Sequence, residues 1–140
     1  MKYLVDTNIL SEAMKPAPQV RVVEWLQAHR LESAVSSVVL GELELGILSL
    51  PVGQRRARLE QWFQELQAAI PVLSFDAKVA SEWAEMMAGL KAKGLSMAVK
   101  DSLIAATART HRLTVVTRNT ADFRHAGVPL LNPFDEPVAE

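Results

Sequence analysis

The sequence predicts an α/β fold, a sandwich built around a parallel sheet. Two observations predict it. Short apolar runs of strand length alternate with longer segments of helical period, from Tyr3-Leu4-Val5 to Val128-Pro129-Leu130-Leu131. The stretch Asp101–Phe123, DSLIAATARTHRLTVVTRNTADF, reads as an Ala-rich helix, a short basic turn and a buried strand, Leu113–Val116, closing on Thr117-Arg118-Asn119. A third observation concerns chemistry: several acids fall at strand ends and helix starts, the edge where parallel sheets bind their ligands.

Tyr3-Leu4-Val5 is β-prone and ends at Asp6. Thr7 and Asn8 lead into a short helix over Ile9–Met14, which Lys15-Pro16-Ala17-Pro18 breaks. Gln19–His29 is helical by period, with Val20, Val23, Trp25 and Leu26 expected inward. Ala34-Val35-Ser36 is a weak second strand, and Ser36 or Ser37 caps the helix after it. That helix has Leu40, Leu43, Ile47 and Leu50 as its apolar face, with Glu42 one turn inside. After a turn at Pro51-Val52-Gly53, Gln54–Ala69 is amphipathic through Leu59, Trp62, Phe63 and Leu66. Val72–Phe75 is a third strand, Asp76 caps the next helix, and Gly94 ends that helix. Val128–Leu131 is the last strand. Asn132–Glu140 is polar and Pro-containing and is expected to be loose; the domain is drawn at residues 1–134, leaving 135–140 as a tail.

Composition bounds the function. A chain of 140 residues suits one domain with a real core. The absence of cysteine excludes disulfides and thiolate metal sites and fits a reducing cytoplasm. No run approaches the roughly 18 apolar residues of a membrane span, and Asp6 comes too early for a signal peptide. With a net charge of −1, the whole molecule is no electrostatic nucleic-acid binder. Such binding needs a local basic patch or a bound cation.

Four acids belong to the ligand-binding edge. Asp6 ends the first strand, Glu42 follows the second, Asp101 begins the helix before Leu113–Val116, and Asp122 follows that strand. Converging carboxylates repel one another, and a divalent cation resolves the repulsion. Mg²⁺ takes hard oxygen ligands, bridges carboxylate to phosphate and supports in-line attack on a phosphodiester. Asn8, Thr117 and Asn119 are neutral hydrogen-bonding groups able to orient carboxylates or water. Each acid alone also has a structural reading. Asp6 can cap a turn, Glu42 can be a solvated helix residue, Asp101 a helix-dipole partner and Asp122 a turn residue. The Arg55-Arg56-Ala57-Arg58 cluster reads as a solvated face, and His29, His111 and His125 lack ligand spacing. Lys91, Lys93, Lys100, Arg109, Arg112, Arg118 and Arg124 include several that flank the edge and can meet phosphate.

Tyr3-Leu4-Val5-Asp6-Thr7-Asn8, Ser36–Leu43, Asp101-Ser-Leu-Ile-Ala-Ala-Thr-Ala and Val116-Thr-Arg-Asn-Thr-Ala-Asp-Phe resemble the PIN-domain family, in its motif order and over nearly the whole chain. They look most like its VapC/FitB-type toxins of bacterial toxin–antitoxin pairs. The resemblance implies an α/β/α fold, Mg²⁺- or Mn²⁺-dependent cleavage of RNA, a homodimer, and inhibition by a cognate antitoxin. It carries Asp6, Glu42 and Asp101 onto the main acidic positions and Asp122 onto a more variable fourth. Asn8, Thr117 and Asn119 fall on supporting polar positions. Ser96-Met97 departs from the Pro-aliphatic pair of many relatives, which bears on loop shape before Asp101. Two other readings compete: a PIN-like module that binds metal, RNA or antitoxin without turnover, and a phospho-acceptor domain. The single Asp6 followed by Thr7 lacks the acidic pair such acceptors carry.

Overall fold

The computed structural model describes residues 1–135. Five short parallel strands form one sheet: β1 (Tyr3–Val5), β2 (Ser33–Ser36), β3 (Val72–Leu73), β4 (Thr114–Val116) and β5 (Leu130–Leu131). Among the described residues six helices flank it: α1 (Thr7–Leu10), α2 (Val20–Ala28), α3 (Ser37–Leu48), α4 (Gln54–Ala69), α5 (Ala77–Ala92) and α6 (Val99–His111). The result is the expected α/β/α sandwich. Its strand order is β3-β2-β1-β4-β5. Leu4 pairs with Ala34 on one side and Val115 on the other, so β1 is central and buried on both flanks. Among the described residues no helix is long and apolar enough to cross a membrane.

Leu4, Val5, Val35, Val115 and Val116 of the sheet are fully buried, which is why these strands read as continuous apolar runs. Helix α6 is buried along most of its length through Ser102, Ile104, Ala105, Ala106, Thr107 and Ala108. Its alanines are small enough to let the helix lie close to its neighbours. Trp83 of α5 donates its indole N–H to Ser102 Oγ at 2.9 Å, fastening α5 to the first turns of α6. Arg109 ties the same two helices by its ion pair with Glu82 at 2.9 Å.

Helix ends follow their sequence signals. Asp76 caps α5, accepting from Val79 N–H at 3.0 Å. Gly94, at φ 71°, ends α5 in a left-handed turn, with Leu95 N–H bonded to Leu90 and Gly94 N–H to Lys91. Arg112 takes the equivalent place after α6 at φ 56°, where Leu113 N–H returns to Ala108.

Several expectations are corrected. Val20 is 64% exposed and Val22 is the buried valine of α2. Val22, with Trp25, Leu26 and His29, forms the inward stripe, because the helix begins at Val20 and its first side chain points away from the sheet. The fourth inward residue of α3 is Val39; Leu50 lies beyond the helix end. The segment after Met1-Lys2 and β1 is a four-residue α-helix continued by a 3-10 turn over Ser11–Met14. Asn132–Phe134 is not loose. Arg21 Nη1 donates to the Phe134 carbonyl at 2.9 Å, the Arg118 guanidinium lies 4.4 Å over the Phe134 ring, and Asn132 bonds the Arg118 carbonyl. The rest of the expected tail, from residue 136, lies outside the described residues. His29 caps the C-terminal end of α2, its ring packing 4.6 Å from Trp25 and 5.2 Å from Tyr3.

Candidate active site

The strand order makes the site. The chain starts in the centre at β1, builds outward through β2 to β3, then returns to the far side of β1 as β4. Crossovers leaving β1 and β4 therefore diverge, opening a crevice at their C-terminal ends. Asp6 directly follows β1, and Thr117 directly follows β4.

Asp6 is 3% exposed and held at both oxygens. Oδ1 accepts from Thr7 N–H at 2.7 Å, capping α1; Oδ2 accepts from the Thr117 hydroxyl at 2.8 Å and from Asn8 Nδ2 at 3.3 Å. Thr117 Oγ1 in turn accepts from Asn119 N–H at 3.1 Å, and Asn8 Oδ1 from Arg118 N–H at 3.1 Å. The three neutral residues expected to support the acids thus form one network around Asp6, Asn119 joining through its backbone.

Glu42 comes from α3, whose start is fixed by Ser36 Oγ accepting from Val39 N–H at 3.1 Å. Asp101 lies in the first turn of α6, which begins at Val99, two residues ahead of the expected start. Asp122 is exposed in a 3-10 turn over Thr120–Phe123, anchored by its N–H to the Asn119 carbonyl at 3.1 Å. All four acids line one cavity of about 390 Å³, together with Thr7, Asn8, Lys100 and Asn119. A larger cleft of about 800 Å³ beside Trp25 and His29 gathers no comparable set of acids.

Burial pushes the Asp6 carboxyl above the ordinary range, and the hydrogen bonds from Thr117 and Thr7 only partly offset it. Burial also raises Asp101, and the charge of Asp6 adds to the effect. Glu12 is the contrast. It is a fifth acid near the first strand and only 5% exposed, but Lys15 at 2.8 Å and Gln19 N–H at 2.8 Å satisfy it. These partners hold its pKa below the usual value. Glu12 is a structural acid closing the Lys15–Pro18 loop; Asp6 and Asp101 are held at a cost to their charged forms.

Sequence reasoning missed two residues here. Thr7 Oγ1 is buried at the cavity with no hydrogen-bond partner among the described residues. Lys100, read only as one of several basic flanking residues, places its Nζ 2.5 Å from Glu42 Oε2. The donor set fits a hard divalent cation: carboxylate oxygens, two of them from acids raised above their usual range, and an unpartnered hydroxyl. Among the described residues no three acidic or histidine side chains are gathered tightly enough to hold an ion as they stand. Glu42 is engaged by Lys100 instead.

A parallel α/β/α sheet with an acid-lined crevice at its switch point places the four acids where such sheets bind their ligands. The PIN domain family model matches residues 3–129, and the chain belongs to that family. Over 138 residues it is 40% identical to the toxin FitB of Neisseria gonorrhoeae, covering 95% of this chain and 99% of FitB. It is 34% identical to the VapC ribonuclease Y4jK of Sinorhizobium fredii, covering 94% and 97% of the two chains. Its fold superposes on a solved structure of FitAB bound to an IR36 DNA fragment with a TM-score of 0.87, at 36% identity and 99% coverage of both chains.

Proposed function

We propose that this protein is an endoribonuclease dependent on a divalent cation, Mg²⁺ or Mn²⁺, and that it acts as the toxin of a toxin–antitoxin pair. The observation that carries the reading is the meeting of Asp6, Glu42, Asp101 and Asp122 on one cavity at the sheet's switch point. Relatives named as a toxin and as a ribonuclease, at 34–40% identity over nearly the full chain, supply the substrate class and the role. The partner protein is an antitoxin, and a second copy of the chain completes the assembly.

In this reading Asp6, Glu42 and Asp101 hold the cation, and Asp122 assists directly or through water. The bound ion supplies positive charge for the phosphodiester and a water of lowered pKa. The rest is done by the chain. Asp6 cannot rotate, because Thr7, Thr117 and Asn8 hold its oxygens. Asp101 rides on α6, which Trp83 pins through Ser102. Asp122, exposed on a turn anchored at Asn119, is open to water and substrate. With a net charge of −1 and an acid-lined crevice, entry of a polyanion is favoured by a cation standing between the acids and the phosphates.

Purified protein incubated with a mixed bacterial RNA pool in Mg²⁺, Mn²⁺ or EDTA tests the proposal, with Asp6→Asn alongside. Metal-dependent cleavage that falls by about 100-fold or more in the variant is expected. Cleavage by the variant at the unaltered rate would sink the assignment of Asp6.

A further inference from the structure

Among the described residues the one cation lining the acidic cavity is Lys100, and its position is unusual on two counts. It is the second residue of α6, where the positive end of the helix dipole disfavours a basic side chain. Its ammonium sits 2.5 Å from Glu42 Oε2, across from a different helix. Both side chains are partly exposed, at 48% and 30%, and pairs so placed contribute little to folding. The pair therefore matters at the cavity rather than to the fold. Lys100 also lies within electrostatic reach of Asp6 and Asp101.

We propose that Lys100 is a resident counter-ion: it occupies Glu42 in the metal-free protein and must be displaced for Glu42 to join a divalent cation, so it sets the cation concentration at which the site assembles. The proposal rests on the reading of these acids as metal-holding. Two effects act in the same direction. The ammonium competes for the Glu42 oxygen, and its charge repels the incoming ion. Losing either strengthens cation binding. Lys100 is a positioning residue, acting through Glu42.

The sign of the effect separates this from a merely structural role, since a damaged site binds metal more weakly. Mn²⁺ affinity is measured by calorimetric titration of the full chain, for the unaltered protein and for Lys100→Met, Lys100→Arg and Asp101→Asn. The expected result is Mn²⁺ binding about tenfold or more tighter in Lys100→Met, and near-unaltered affinity in Lys100→Arg, which keeps the charge. Asp101→Asn should bind weakly. Equal or weaker binding by Lys100→Met, with its circular dichroism unchanged, overturns the proposal and leaves the metal reading standing. If Lys100→Met is unfolded, unaltered affinity in Lys100→Gln overturns it equally. Binding in the unaltered protein that Asp101→Asn does not weaken overturns the metal reading and this proposal with it.

Discussion

Asp101 is the residue at which stability and the proposed activity oppose each other. Burial first, and then the charge of Asp6, raise its carboxyl above the unfolded value. A carboxyl with a raised folded pKa binds its proton more tightly in the native state. Without metal, then, native stability falls as pH rises from the unfolded Asp value through the raised one. Asp101→Asn removes that term. Its thermal midpoint in EDTA should exceed that of the unaltered chain at neutral pH, and the gap should close below about pH 4, where both forms are uncharged. The same variant should lose RNA cleavage. A midpoint unchanged at neutral pH would mean that Asp101 is relieved by a partner. The positions of Asp6, Glu42, Asp101 and Asp122 were legible in the sequence, because strand ends and helix starts can be placed from hydrophobic period. The roles of Thr7 and Lys100 were not. An unpartnered hydroxyl and an ion pair to Glu42, from a helix 58 residues on in the chain, exist only once the elements are packed. Glu12 marks the reverse limit: an acid close to Asp6 in sequence proves to be spent on Lys15 and Gln19.

At the scale of the element, α3 is the lever for Glu42. Ser36 ends β2 and caps α3 with one side chain, so it sets the angle at which the helix leaves the sheet. Ser36→Ala should cost about 1 kcal/mol in urea unfolding. It should also weaken Mn²⁺ binding, although Ser36 touches no acid. A stability loss with unaltered metal affinity would show that Glu42 is positioned by α3 packing alone. Apolar spacing made the existence and order of the elements legible, and the caps Ser36 and Asp76 and the stop at Gly94 made several boundaries legible. Phase was harder. In α2 three valines crowd the first turn, and period alone does not tell whether Val20 or Val22 faces inward; the packed structure buries Val22 on the helix whose Trp25 and His29 meet Tyr3. The ordering of Asn132–Phe134 was hidden for a similar reason, since Phe134 is held by Arg21 and Arg118 from distant parts of the chain.

The whole molecule is centred on α6 and β1. Ile104 is fully buried in α6, three residues after Asp101. Ile104→Ala should lower unfolding free energy by about 2–5 kcal/mol, a large share of the stability of a domain this size. Chemical denaturation measures it, and a loss under about 1 kcal/mol would mean the core around α6 refills the space. The strand order carries one more consequence, and it concerns biosynthesis. Asp6 leaves the ribosome early, but its backbone N–H bonds Val116 at 2.9 Å and its carboxylate needs the hydroxyl of Thr117. A nascent chain short of those residues has β1 with one flank bare and its first acid without the Thr117 hydroxyl. On the proposed function, the site is completed only as translation nears its end, and a prematurely terminated message should yield an inactive fragment. Chains halted on stalled ribosomes before Thr114 should leave RNA intact, while chains halted with residue 135 outside the exit tunnel should cut it. Cleavage by the shorter chains would show that the catalytic centre forms without its last-made strands.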